Sequence, residues 1–246
     1  MNDGIFKINY HPDFSYILIH QINNKKDYSS VVHSLKKNVK YYSSNEVGLS
    51  KSRNLAIEKS DAEYIWIMDD DVIIDNDALS GLNRLINSDL NFDMMVLSHT
   101  FKCCGSKSLS KMNKISKISK ISAMSVSSID MFIKRKSIVD KNLSFNENFG
   151  LGTKYPSGEE FIFTTQLLKS GLHVLKTNDI FSYHPPVASG NDFYSTPNKL
   201  KAKLKMFSVC YGNIIGRALY LLFIIKKIKL LKKHKKLLSA IVTLYK

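Results

Sequence analysis

The amino-acid sequence predicts an α/β fold built on a doubly wound, mostly parallel sheet. Three observations lead to it. Short β-branched and aromatic runs alternate with segments of helical apolar spacing through the N-terminal part of the chain. An acidic triplet, Asp69-Asp70-Asp71, follows directly on one of those runs, at the strand end where such sheets present ligands. At 246 residues and 44% hydrophobic, the chain is long enough for one large domain with a substantial core, which excludes general disorder.

In chain order, residues 15–20 read as a buried strand, 27–37 as a short helix and 39–42 as a second strand. Residues 45–50 break regular structure, and 50–59 carry helical apolar spacing. Residues 64–68 form a third strand bounded by acids on both sides. Residues 105–122 are a low-complexity tract with a Lys-Ile-Ser repeat; period three matches neither helix nor strand, so a surface excursion or a basic lip over the site is expected. Residues 128–133 are strand-like, and a helix from about 158 to 170 should end at Gly171.

Three cysteines, Cys103, Cys104 and Cys210, build neither a disulfide framework nor paired zinc knuckles, which points to a reducing compartment. The first residues lack the apolar stretch of a secretory signal, so the expected place is the cytoplasm or its face of a membrane. The net charge of +15 is concentrated at one end. From Lys199 to Lys246 there are thirteen Lys or Arg and no Asp or Glu, which leaves 23 basic against 21 acidic residues for 1–198. A body over 1–198 and a basic helical appendage over 199–246 follow.

If the chain stays extended through the triplet, alternation puts Asp69 and Asp71 on one side, about 7 Å apart, with Asp70 facing away. Two acids on one side can share a divalent cation, and oxygen ligation suits Mg2+ or Mn2+ completed by substrate phosphate. The alternative is an acidic loop that caps the following helix. A second acidic group closes a glycine-punctuated loop, Phe145 to Glu160. Ser157 and Glu160 have capping-box spacing, yet a carboxylate at a helix start in a glycine-rich mouth is also placed to act as a general base. Arg53, with its fixed donor fork, and Asn54 either reach a phosphate or hold the aspartates.

Gly48-Leu-Ser-Lys-Ser-Arg-Asn54, the strand before Asp69-Asp70-Asp71, Phe149-Gly-Leu-Gly, Ser157-Gly-Glu-Glu160 and His184 together resemble the ordered landmarks of family 2 glycosyltransferases of the GT-A fold, over roughly residues 16–190. The resemblance implies a GT-A-like sheet and a metal-dependent, inverting transfer of a sugar from a nucleotide-diphosphate donor to a hydroxyl of a glycan or lipid-linked acceptor. It implies Asp69, Asp71 and His184 at the cation, with Arg53, Asn54, Asp69 and Asp70 toward the donor. Glu160 is the implied base, with Glu159 in reserve. Family members normally begin with a further strand and helix that help bind the nucleotide base, whereas residues 16–20 here resemble their second strand. Either residues 5–8 replace the first strand or the base pocket is incomplete, and His20, Gln21 or Asn23 are the candidates for base recognition.

The tail holds an apolar stretch, 207–225, close to bilayer length, but a central Arg217 costs about 2.5–3.5 kcal/mol on insertion scales and argues against a span. Ile224, Ile225, Ile228 and Leu231 form a stripe flanked by lysines, which favours interfacial docking on an anionic membrane, worth about 1 kcal/mol per basic side chain. No nucleic-acid module is recognisable, so nucleic acid is not expected as a partner. The competing reading is a noncatalytic membrane- or polyanion-binding protein that acts through this tail.

Overall fold

Strand β1 (Tyr16–Gln21) passes through helix α1 (Ser29–His33) into β2 (Val39–Ser44), which pairs with it in parallel, Tyr16 opposite Val39 and Gln21 opposite Ser44. The computed structural model describes residues 8–101, 114–185 and 192–245. The expected helix over 27–37 shrinks to five residues, because the amide of Val39 closes a turn on the Lys36 carbonyl to enter β2. Residues 5–7 of the proposed replacement strand lie outside the described residues.

Helix α2 (Leu49–Lys59) starts after Gly48, whose φ of 135° is open to glycine without strain. Strand β3 (Tyr64–Trp66) is followed by β4 (Ile73–Ile74), α3 (Ala78–Ile86) and β5 (Met94–Thr100). Next come β6 (Ser116–Lys117), β7 (Met131–Lys134), α4 (Arg135–Asp140), α5 (Glu159–Lys169) and β8 (Val174–Tyr183). The main sheet has the order β3-β7-β5-β8-β4, with β6 added on β8. Strands β5 and β8 are parallel, and β3 runs with them because β7 lies antiparallel between β3 and β5. The short β4 and β6 also oppose β8.

Alternation along β5 explains why both faces are covered. Met94 and Val96 enter the cluster that holds α5, whereas Met95 and Leu97 enter the one that holds α3. Part of the low-complexity tract belongs to this body: β6 pairs with β8 and Ile118 is buried, while residues 102–113 lie outside the described residues. Helix α5 ends as its sequence predicts, with Gly171 at φ 77° just past the last turn.

The basic segment is helical and packs on the body. Helices α6 (Pro197–Tyr211), α7 (Asn213–Lys226), α8 (Ile228–Lys233) and α9 (Leu237–Thr243) contribute Leu200, Leu204, Phe207, Tyr220, Ile224, Leu231 and Ala240 to the same hydrophobic cluster as α5. The boundary expected after residue 198 therefore falls inside α6, which is capped by Thr196 with Pro197 in its first turn. At Gly216 the backbones of α6 and α7 meet so closely that a Cβ would lie 2.6 Å from the Ser208 backbone. This contact fixes the roll of α7 and divides the expected stripe. Ile224 and Leu231 are buried, while Ile225 and Ile228 face out. Among the described residues, no helix is long and apolar enough to cross a membrane.

Candidate active site

The carboxyl ends of β3, β5 and β8 open on one edge of the sheet, and the side chains of interest gather there. The aspartate triplet is not extended. The chain turns at Asp70-Asp71, with the Val72 amide donating to the Asp69 carbonyl, because β4 must return to pair Ile73 with Tyr183 of β8. The expected same-side alignment of Asp69 and Asp71 gives way to two separate engagements. Asp69 accepts from Arg53 at 3.3 Å, and Asp71 Oδ1 lies 3.4 Å from Nε2 of His184. Asp70 is exposed.

Arg53 is the junction of the site. Its side chain, only 6% exposed, donates to Asp69, to Glu159 at 3.2 Å and to the Ser128 hydroxyl at 2.7 Å, with Glu160 3.8 Å away. Its guanidinium also lies over the Phe145 ring. Asn54 next to it is turned elsewhere. Its amide nitrogen donates to the Phe145 carbonyl and to Glu147, and its oxygen accepts from the Phe145 amide. Asn54 thus clips the loop that leads to α5.

That loop folds onto α2 through the Leu49 amide on Leu151 O and the Ser50 hydroxyl on Phe149 O. Gly150, at φ 107°, allows the close approach; a Cβ there would lie 3.3 Å from the Glu159 carboxyl carbon. No capping box forms, since Gly158 occupies the N-cap and the Ser157 hydroxyl has no partner among the described residues. The two glutamates differ sharply. Glu159 is 4% exposed and bound to Arg53, whereas Glu160 is 25% exposed and more loosely held. Burial, reinforced by the charge of Glu159 and offset by Arg53, pushes the Glu160 carboxyl up to about 7.

Two further groups escaped the sequence reading. Helix α6 brings Lys203 toward the glutamates: burial lowers its ammonium, and Glu160 and Glu159 oppose that shift. Met206, one turn on, packs where Gly158 leaves room, a Cβ on that glycine meeting it at 3.0 Å. The second group is His99, at the end of β5, whose Nδ1 lies 3.0 Å from Asp130. A histidine ending an apolar run that feeds this sheet edge was the available signal for it.

His20 and Gln21 end β1 but are engaged with the protein. His20 is buried against Tyr28 and hydrogen-bonds the Tyr41 hydroxyl, and Gln21 donates to the Gly48 carbonyl. Among the described residues, no group of three or more His, Cys, Asp or Glu side chains converges as a metal site. Asp71 and His184, a carboxylate facing an imidazole, still suit a divalent cation that draws its other ligands from phosphate and water.

Residues 9–146 match the model of glycosyl transferase family 2. The chain belongs to that family. Its fold is shared by solved structures of low sequence identity. TarS of S. aureus, residues 1–349, crystallised with UDP-GlcNAc, superposes with a TM-score of 0.60 at 14% identity, covering 84% of this chain and 60% of TarS. The same TarS fragment without ligand gives 0.59 at 14% identity, over 98% of this chain and 74% of that one. The mannosyltransferase PcManGT of Pyrobaculum calidifontis, solved with GDP-Man and Mn2+, gives 0.57 at 10% identity, over 99% and 81%. The family 2 chain thus spans about 60% of the ligand-bound TarS fragment. No curated protein sequence matches it significantly.

Proposed function

We propose that this family 2 glycosyltransferase moves a sugar from a nucleotide-diphosphate donor to a hydroxyl of a glycan or lipid-linked acceptor, with inversion and with a divalent metal. The observation that carries this reading is the placing of Glu160 and of the Asp71–His184 pair on one sheet edge, with Arg53 bridging Asp69 to the glutamates. Glu160 takes the proton of the acceptor hydroxyl as that oxygen bonds the sugar carbon, and the bond to the diphosphate breaks on the opposite face. Asp71 and His184 hold the cation, which when bound supplies Lewis-acid stabilisation to the departing diphosphate. Arg53 keeps Glu159 and Asp69 in place rather than meeting the donor. The solved neighbours with UDP-GlcNAc and with GDP-Man and Mn2+ support the donor class and manganese.

A thermal-shift screen of nucleotide sugars with and without Mn2+ tests this directly. At a hundredfold excess over Kd, a true donor adds about 2.7 kcal/mol of stability, a shift of roughly 5–10 °C for a chain of this size. If no nucleoside diphosphate or nucleotide sugar shifts the folded protein with either cation, the reading fails.

We further infer a peripheral position on the cytoplasmic face of an anionic membrane. The outer side of α7 leaves Ile214 87%, Leu222 60% and Ile225 56% exposed, in a segment without a single acidic residue. Lysines beside an apolar face match the charge and polarity of such a leaflet. The protein should sediment with vesicles containing phosphatidylglycerol but not with pure phosphatidylcholine, less so as salt rises. Leu222→Glu with Ile225→Glu should release it; equal sedimentation of that variant, or none of the wild type, refutes the docking.

A further inference from the structure

The 3-10 turn Ser128–Asp130, which enters β7, ties together three elements of the crevice. Ser128 accepts from Arg53 at 2.7 Å, the Ile129 carbonyl accepts from the Trp66 indole at 2.7 Å, and Asp130 meets His99. The first two contacts hold the acidic network and the end of β3. The third has no structural demand of that kind, because it positions a ring that remains open on its other side.

His99 reaches this place through a fault in the sheet. The parallel register of β5 on β8 shifts between Val96 and Ser98 and again between Ser98 and His99. Such irregularities re-aim side chains beside active sites. Nδ1 then lies 3.0 and 3.1 Å from the two oxygens of Asp130, a carboxylate that is itself only 7% exposed. The double contact fixes the ring. Among the described residues Nε2 has no partner, and the His99 side chain is 18% exposed. Its ring centroid is 6.0 Å from that of His184, whose Nε2 faces Asp71. His99 therefore lies beside the pair proposed above to hold the cation at the departing diphosphate.

We propose that His99, oriented by Asp130, binds a hydroxyl of the transferred sugar through Nε2 and helps to select the donor. The inference rests on the glycosyltransferase reading above. A hydroxyl both donates and accepts, so it can partner Nε2 in either protonation state of the ring. Asp130 is a positioning residue, since it acts only through the imidazole. Selection follows because a sugar that lacks the hydroxyl, or presents it on the other side of the ring, leaves a partly buried nitrogen unpaired.

The test separates the sugar from the nucleotide. Affinities of UDP and UDP-GlcNAc, and of GDP and GDP-mannose, are measured with Mn2+ by titration calorimetry for wild type, His99→Ala and His99→Gln. For the pair that binds, His99→Ala should weaken the nucleotide sugar about tenfold, the equivalent of about 1.4 kcal/mol, and leave the bare nucleotide within twofold. His99→Gln, which keeps a hydrogen-bonding group in the same reach, should recover part of the loss. Unchanged binding of both ligands by His99→Ala overturns the proposal. So does an equal loss for both, which would mark a diphosphate contact or a structural role. If the wild type binds neither pair nor any other nucleotide sugar, the donor reading itself falls, and this inference with it; wild-type binding that is insensitive to His99 removes this inference alone.

Discussion

Replacing Glu160 by glutamine is expected to lower kcat by about 10²–10⁴, the range for loss of a general base, while nucleotide-sugar affinity stays within a few fold. In the wild type the base must be ionised, so kcat should rise through pH 7, where burial and Glu159 place the Glu160 carboxyl, and level off above it. The variant should lose that limb. The same shift has a consequence for stability. A carboxyl raised in the folded state binds its proton more tightly there than in the unfolded chain, so stability falls as pH climbs from the ordinary glutamate range to about 7 and then stays low. Glu160→Gln should therefore melt above the wild type at pH 8 and level with it near pH 4. An inactive variant that melts lower at pH 8 would argue for a structural carboxylate instead.

Arg53→Met is expected to cost about 3–5 kcal/mol, because it leaves Glu159 and Asp69 without their buried counter-charge. For a chain of this length that corresponds to a fall in Tm on the order of 10 °C. The deficit should grow from pH 5 to pH 8. Arg53 also lowers the Glu160 carboxyl, so without the guanidinium that group holds its proton to still higher pH in the folded state and its ionisation costs more stability. Lysine should rescue poorly, since one ammonium cannot reproduce three divergent contacts made by a planar fork. Denaturant melts at the two pH values decide it; a loss that is equal at both would mean that Arg53 acts through packing on Phe145 and not through charge.

Most of the frame could be read from the chain. The runs at 15–20 and 39–42 are strands, that at 64–68 is one only as far as Trp66, the helices at 50–59 and 158–170 are nearly where their periodicity puts them, and the acidic clusters do meet at one edge. What local pattern does not carry shares a cause. Asp71 meets His184 only because β4 returns along β8, a pairing between segments more than a hundred residues apart that leaves no local trace. The His99–Asp130 contact likewise depends on a register shift in β5. Periodicity also cannot tell what covers an apolar stripe: Ile224 and Leu231 look like membrane-facing residues, and a neighbouring helix buries them, whereas Ile214 and Leu222 are the ones left bare.

The packing of Met206 into the gap beside Gly158 gives the basic segment a role apart from the proposed docking. It packs on the start of α5, which carries the proposed proton acceptor. Were the chain cut at Thr196, Glu160 would gain exposure beyond its present 25%, and its carboxyl would shift from about 7 toward the ordinary glutamate range. The proposed hold on a lipid surface and the acidity of a single side chain thus draw on neighbouring helices of one basic segment.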